Sequence, residues 1–443
     1  MVIVGAGYPA HTGVPAPAGP PEPVPAAPMM CKAPCVPPER TAPSDQGLLS
    51  VGFDATPLLG QPTGVGAFCS GALSGLSGLR EIDASAFAVS WRRRKGIEGL
   101  VPPGIGTRQR AMPARPLHAA WGRSRFPPIE WFIGRRDVVH GSNFVVPPSA
   151  HAARVVTVHD LTVVLYPELC DPPTLAFPGL VRRAVAEGAW VHTPSQFVAD
   201  QVVADLSVDP ERVRAVHHGI PLAPAGDRHG ARPPVGLPEG CGRYVLAIGT
   251  IEPRKDYPLL VSAFAAVAAA HPDVALVVVG GAGWGADRFL AAVESSPVRS
   301  RIVRPGYLDD QRLEATLRQA SVLAFPSLYE GFGFPPLQAM AAGVPVVATS
   351  AGAVPEVVGD GALLVGPGDR DGLAGAISHV LDGGTDVEQL VDRGMRRSRA
   401  FSWDGCARGL VALYRDAAGV RDAGARSRPV RSRPVDSRDG RRG

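Results

Sequence analysis

The stretch Val322-Leu-Ala-Phe-Pro-Ser-Leu-Tyr-Glu-Gly-Phe-Gly-Phe-Pro-Pro-Leu-Gln-Ala-Met340 runs from a short apolar segment through a glycine-punctuated loop into the opening of a helix. Val322 to Phe325 predicts a strand. Pro335 and Pro336 suit a helix's first turn, where a missing N–H leaves no bond unmade. Gly331 and Gly333 let the backbone approach a ligand closely, and the helix start offers unpaired N–H groups and a positive dipole end to an anion. Glu330 sets a carboxylate beside that anion position. A ligand with both hydroxyls and phosphates fits, and a nucleotide sugar is one. A tight strand-to-helix turn with a solvated glutamate is the plain alternative.

Upstream, Gly249-Thr-Ile-Glu-Pro-Arg-Lys-Asp256 joins a strand at residues 244–248 to a helix opening after Asp256, a residue suited to N-capping. Arg254 and Lys255 therefore meet a helix N-terminus, where the macrodipole disfavours cations by roughly 0.3–1 kcal/mol each. An anion among them resolves the conflict, with arginine forking onto two oxygens and lysine adding a point charge. Departure of a nucleoside diphosphate from a sugar builds negative charge that such groups stabilise most in the transition state. On this reading no cofactor and no metal is needed.

The rest of the chain repeats the same alternation. Strands are predicted at 48–53, 86–90, 138–140, 155–159 and 190–193, with helices at 67–79, 175–187 and 195–205. Ser195 is a suitable N-cap. The second array has strands at 244–248, 274–279, 301–303, 322–325 and 344–348, with helices at 259–271, 286–294, 310–320 and 335–342 between them. The expected architecture is α/β, two doubly wound Rossmann-like domains facing a central cleft. The first domain spans 48–220, a Gly/Pro-rich linker 221–242 and the second domain 243–400. A final helix at 401–418 is expected to pack back on the first domain. Residues 1–47, rich in Pro and Ala, and the Arg-rich tail 419–443 read as disordered. Val2 to Ala10 imitates a dinucleotide fingerprint but lacks the helix that must follow it.

Composition narrows the function classes. The 443 residues are 45% hydrophobic and carry a net charge of +4. Eight Arg and three Asp in the last 23 residues supply +5 of it, leaving −1 elsewhere, so no global field points to nucleic acid. No apolar run has the length of a membrane span, and six scattered cysteines do not make a disulfide framework, so a cytoplasmic protein is expected. The tail has two readings: peripheral contact with an anionic membrane surface, or a solvated extension.

Glu330 to Ala348, Gly249 to Lys255 and Pro355-Glu-Val-Val-Gly-Asp360 together resemble glycosyltransferase family 4, nucleotide-sugar-dependent retaining enzymes of the GT-B fold. Within it, the chain is similar to bacterial mannosyltransferases that use GDP-mannose. The resemblance implies that Glu330 lies at the donor sugar and that Arg254 and Lys255 bind the diphosphate. It further implies that the loop containing Gly249 adjoins the diphosphate, and that the backbone of Phe332, Gly333 and Phe334 meets sugar hydroxyls and phosphate. Gly64 and Gly66 match a first-domain loop near donor and acceptor. His159, in Thr-Val-His-Asp160, matches a histidine facing the donor sugar, although a strand-end His-Asp pair also forms plain hydrogen-bonded corners. Gln338 stands where the family has a second acid for the ribose hydroxyls, and a glutamine binds them without charge assistance.

His140, His217 and His218 read as core, hinge or surface residues, and His192 as a packed strand residue. Asp369-Arg-Asp371 reads as a turn and helix cap rather than a metal motif. The expected partners are a nucleotide-sugar donor and a glycan or lipid-linked acceptor. A nucleotide-sugar 2-epimerase and a silent nucleotide-sugar binder remain as alternatives.

Overall fold

The computed structural model describes residues 48–426 except 61–62, 171 and 222–234. The readings of residues 1–47, of most of the linker and of the tail beyond Arg426 lie outside the described residues. The first lobe runs β1 (Leu49–Asp54), α1 (Gly64–Ser77), β2 (Ile82–Phe87), β3 (Gly106–Arg108), α2 (Ala114–Trp121), α3 (Glu130–Ile133), β4 (Val138–Gly141) and β5 (Ala153–Thr157). It continues with α4 (Thr162–Leu165), α5 (Phe177–Ala186), β6 (Trp190–Thr193), α6 (Gln196–Leu206) and β7 (Val213–Ala215). Its strands pair in parallel in the order β3-β2-β1-β4-β5-β6-β7.

The second lobe opens with β8 (Arg243–Ile248), a 3-10 turn (Pro253–Lys255), α7 (Tyr257–Ala270), β9 (Val274–Val279), α8 (Ala286–Ser295), β10 (Ile302–Gly306) and α9 (Asp310–Arg318). There follow β11 (Val322–Phe325), α10 (Phe334–Ala341), β12 (Val346–Thr349), α11 (Val354–Val358), β13 (Leu363–Val365), α12 (Arg370–Asp382), α13 (Thr385–Ser398) and α14 (Trp403–Arg426). This sheet is parallel in the order β10-β9-β8-β11-β12-β13. Both orders reverse after the first strand of their lobe, and ligands bind such sheets outside the carboxyl ends of the strands at that reversal.

Strands covered on both faces need continuous apolar sequence. Val274–Val279 obliges: all six residues are buried. One face of the second sheet packs on α10 and α11 through Leu337, Met340, Val354 and Val357, the other on α7 and α12 through Leu260, Phe264, Leu373 and Ile377. Helix α14 belongs to the first lobe's core, where Leu410, Leu413 and Tyr414 join Phe53, Phe68 and Leu73. Two glycines of α1 admit it. A Cβ at Gly71 would lie 2.0 Å from the Trp403 ring, and one at Gly75 would lie 2.3 Å from the Trp403 carbonyl oxygen.

Several expectations need correction. The strand expected at 86–90 lies at Ile82–Phe87, paired with β1 from Leu49 opposite Ile82. Ala88 and Val89 are buried, but Val89 N–H donates to Thr56 Oγ1 (2.8 Å) instead of continuing the ladder. Strands β3, β7 and β13, three residues each, were too short to register as periodicity. Helix α14 continues to Arg426, past the expected end at 418, because no proline interrupts the Ala/Arg-rich sequence before Pro429. Gly64 and Gly66 stand in the first turn of α1, not in a loop before it: Thr63 caps the helix by accepting from Gly66 N–H (3.2 Å). Ser195 and Asp369 do cap their helices, accepting from Val198 and Gly372 N–H.

Candidate active site

The loops leaving β8 and β11 flank the second sheet's reversal, and their charged side chains converge. Lys255 Nζ lies 2.6 Å from one Glu330 oxygen and an Arg254 guanidinium nitrogen lies 2.7 Å from the other. Arg254 also donates to the Tyr329 carbonyl (2.8 Å) and to Glu252 (2.7 Å). Lys255 and Glu330 are both buried, with the ammonium 5.1 Å from the Phe325 ring centroid. Gly249 leaves room for this lysine: its φ is +150°, and a Cβ there would sit 3.3 Å from Lys255 Cε. Asp256 occupies the N-cap position of α7 in the left-handed region, yet its side chain makes no capping bond.

Burial by itself pushes the Glu330 carboxyl up, but Arg254 and Lys255 outweigh it and hold the group at about 2. The Lys255 ammonium moves the other way from a simple ion-pair partner. Burial and the neighbouring Arg254 lower it, although Glu330 opposes the shift. The 2.6 Å contact and the second cation on the same carboxylate favour the ionised pair.

Helix α10 begins at this cluster. Gly333 is its N-cap at φ +114°. A Cβ on Gly64, in the first turn of α1, would lie 3.8 Å from the Phe334 ring, so the two helix starts meet across the lobe boundary. Gln338 lies one turn into α10, half-buried and without a side-chain hydrogen bond among the described residues. The side chains of Phe332 and Phe334 turn toward the hinge. His218 stacks on Phe334 at 5.5 Å and 11°, and Phe332 packs on Phe401 at 5.8 Å. The outgoing and returning crossovers lie side by side: Ile220 N–H donates to Phe401 O (3.2 Å), and Gly219 lacks room for a Cβ beside Trp403 N.

His159 is held within this frame. Its Nε2–H donates to the Ser142 carbonyl (2.8 Å), which leaves Nδ1 as the acceptor for His218 Nε2 (3.4 Å). Burial lowers its pKa, so the ring is neutral near pH 7. Its carbonyl oxygen, not its ring, abuts the Glu330 loop, where a Cβ on Gly331 would lie 1.9 Å away. His140 and His192 are buried core residues bridged by Thr157, at 2.7 and 2.9 Å.

Sequence reasoning missed several residues that build the site. Tyr329 accepts from Leu161 N–H (3.1 Å) and donates to Gln201 (2.5 Å), joining the lobes. Ser195 Oγ donates to Gly331 O (2.8 Å). Glu356 accepts from the Gln196 and Phe197 N–H groups and from His217, each at 2.8 Å. Asp54 ends β1 at the first sheet's reversal, and burial pushes its carboxyl up to about 6. Only the carboxylate position of Asp54, at the end of an apolar strand, was a signal a sequence reading could have used.

These features describe a two-lobed molecule with a charged cluster at the second sheet's reversal, and comparison gives its class. A family model described as "Glycosyl transferases group 1" matches residues 242–383. The O-antigen chain mannosyltransferase B of Escherichia coli is 29% identical over 286 residues, 63% of this chain and 74% of the relative. A D-inositol 3-phosphate glycosyltransferase of Nocardioides sp. is 30% identical over 326 residues, covering 66% of this chain and 70% of the relative. Among solved structures, sucrose-phosphate synthase from Thermosynechococcus elongatus superposes with a TM-score of 0.63 at 20% identity, covering 86% of this chain and all of that one. The fold is GT-B, and the chain belongs to the group 1 glycosyltransferases of family 4 type.

Proposed function

We propose that the chain is a retaining hexosyltransferase that moves mannose from GDP-mannose to a hydroxyl of a glycan or lipid-linked acceptor in the cytoplasm. The convergence of Arg254 and Lys255 on Glu330 beside the start of α10 carries this reading. A donor diphosphate takes over part of the cations' pairing and frees the Glu330 carboxylate for the sugar's hydroxyls. As the glycosidic bond breaks, the two cations and the α10 N–H groups meet the charge on the leaving diphosphate. His159 is assigned to the sugar side of the cleft, and Gln338 to the ribose. Gly64 and Gly66, at the start of α1, are assigned to the same donor from the first lobe, with the Gly66 N–H already bonded to Thr63 Oγ1. Mannose is favoured by likeness to the E. coli mannosyltransferase, and GDP by the resemblance of the sequence motifs to GDP-mannose-dependent enzymes.

Because side chains meet the leaving charge in this reading, EDTA should leave turnover unchanged. Calorimetric titration with GDP-mannose, GDP-glucose, UDP-glucose and UDP-N-acetylglucosamine tests the donor, and NMR of the transferred sugar's anomeric proton tests retention. Binding of none of these at millimolar concentration sinks the proposal. Conversion of the donor to its epimer without acceptor would favour the epimerase instead. Gln338 favours a second reading, a binder without turnover. That reading holds if the wild type binds donor but turns over with no acceptor while Gln338→Glu does.

A further inference from the structure

Charge in this chain is concentrated in a way that its total conceals. Residues 91–136 hold ten Arg and one Lys against two Glu, a net +9 in 46 residues. With +5 in the last 23 residues and +4 for the whole, everything else carries −10. Most of these cations reach solvent: Arg92, Arg93, Lys95, Arg108, Arg110 and Arg123 are all exposed, whereas Arg136 is buried against Asp83.

The same segment exposes large aromatic surfaces. Trp91, Phe126 and Trp131 are 59%, 58% and 56% exposed, values that set them apart from core residues merely reaching the surface. Arginine hydrogen bonds to main-chain carbonyls tie together the segments that carry them, and one ring contact joins two of the three. Arg94 bonds to the Trp91 carbonyl and donates to the Gln109 carbonyl (3.0 Å). The next residue, Arg110, donates to the Trp131 carbonyl (2.6 Å), and Trp131 meets Phe126 edge to face at 4.8 Å. Trp91 and Arg110 leave the carboxyl ends of β2 and β3, the end of the sheet from which β1 leads to the start of α1.

We propose that this face docks on an anionic lipid bilayer surface, the arginines pairing with headgroup phosphates and the tryptophans and Phe126 entering the interface. Indole and phenyl rings between water and hydrocarbon, framed by arginine, are the chemistry of interfacial anchoring. A single-stranded nucleic acid also stacks on exposed rings set among cations; equal binding to a soluble polyanion and to vesicles is the outcome that favours it. No helix among the described residues is long and apolar enough to cross a membrane, so the contact is peripheral. Docking there turns the first lobe's ligand-binding end toward the bilayer. The inference does not depend on the donor assigned above.

Flotation of the full chain with phosphatidylcholine vesicles, with and without 30% phosphatidylglycerol (roughly the anionic range of natural membranes), tests it. Binding should require phosphatidylglycerol and fall steeply in 0.5 M salt (Debye length roughly 4–5 Å). Arg92→Glu and Arg93→Glu should each lower the partition coefficient by about fivefold or more. Trp91→Ala with Trp131→Ala should lower it by about tenfold. Thermal melting and donor titration should not change in any of these exposed-site variants. A full-length variant with Arg431, Arg433, Arg441 and Arg442 changed to Gln should keep the binding. The proposal is overturned if the wild type does not float. It is equally overturned if only the tail variant loses binding, or if losing both tryptophans leaves binding to vesicles and to soluble dextran sulfate equally intact.

Discussion

Lys255 and Glu330, 75 positions apart in the chain, meet at 2.6 Å with both side chains buried. A buried pair of this kind holds only while both charges keep partners, because removing one leaves the other uncompensated in a poorly hydrated place. Glu330 has a second cation in Arg254; Lys255 has no second anion among its contacts.

Lys255→Ala should therefore cost less stability than the 3–5 kcal/mol of a fully broken buried pair, about 1–3 kcal/mol, because Arg254 still serves Glu330. Donor affinity should fall much further, by about 50-fold, on loss of a charged hydrogen bond to phosphate worth over 2 kcal/mol. Urea denaturation and calorimetry measure the two effects separately.

Glu330→Gln should change the acid limb of stability. The folded carboxyl sits at about 2, below its ordinary 4.5, and so holds its proton less tightly than in the unfolded chain. Its stabilisation is complete above pH 4.5 and is lost as pH falls toward 2. The difference in urea midpoint between wild type and Glu330→Gln should shrink through that window. A constant difference across it would show that the carboxylate is not held as described. At neutral pH the same variant should lose turnover by more than it loses donor affinity.

Tyr329→Phe removes one hydroxyl and with it both bonds to the first lobe, leaving Leu161 N–H without its partner. A buried donor left unpaired costs about 1–3 kcal/mol. The melting temperature should fall, and KM for the donor should rise because Tyr329 adjoins Glu330 in the chain.

Gly331→Ala should be worse than its size suggests. Its Cβ would stand 1.9 Å from the His159 carbonyl oxygen and 2.9 Å from Asp160 Cβ, and neither lies on a freely movable chain end. Relief requires the lobes to part locally, at a cost of about 1–3 kcal/mol or more. Turnover should drop sharply, and small-angle scattering should detect a larger radius of gyration.

Glu356→Ala strips the start of α6 of a carboxylate shared by two N–H groups and His217. Loss of such a cap costs about 0.5–2 kcal/mol. Glu356→Gln, which keeps an acceptor, should recover part of the loss in a thermal melt.

Local sequence determined the elements and their chemistry. Val274–Val279 is a strand at its expected bounds because its six consecutive apolar residues, four of them valine, suit a strand covered on both faces, and the bounds of β11 likewise followed from four apolar residues before a proline. Arg254, Lys255 and Glu330 stood out because strand-to-helix loops carry ligands and these loops carried charge. Tertiary structure decided what no window of residues contains. It set which cation meets which carboxylate oxygen, that Tyr329, Ser195 and Glu356 join the lobes, and that Phe332 and Phe334 pack against the hinge. It also left Trp91, Phe126 and Trp131 exposed in one arginine-rich segment whose charge disappears in the chain's total. Periodicity and propensity act over a few residues, whereas contacts such as Lys255–Glu330 and Leu161–Tyr329 join positions 75 and 168 apart and exist only once both sheets have closed over their cores.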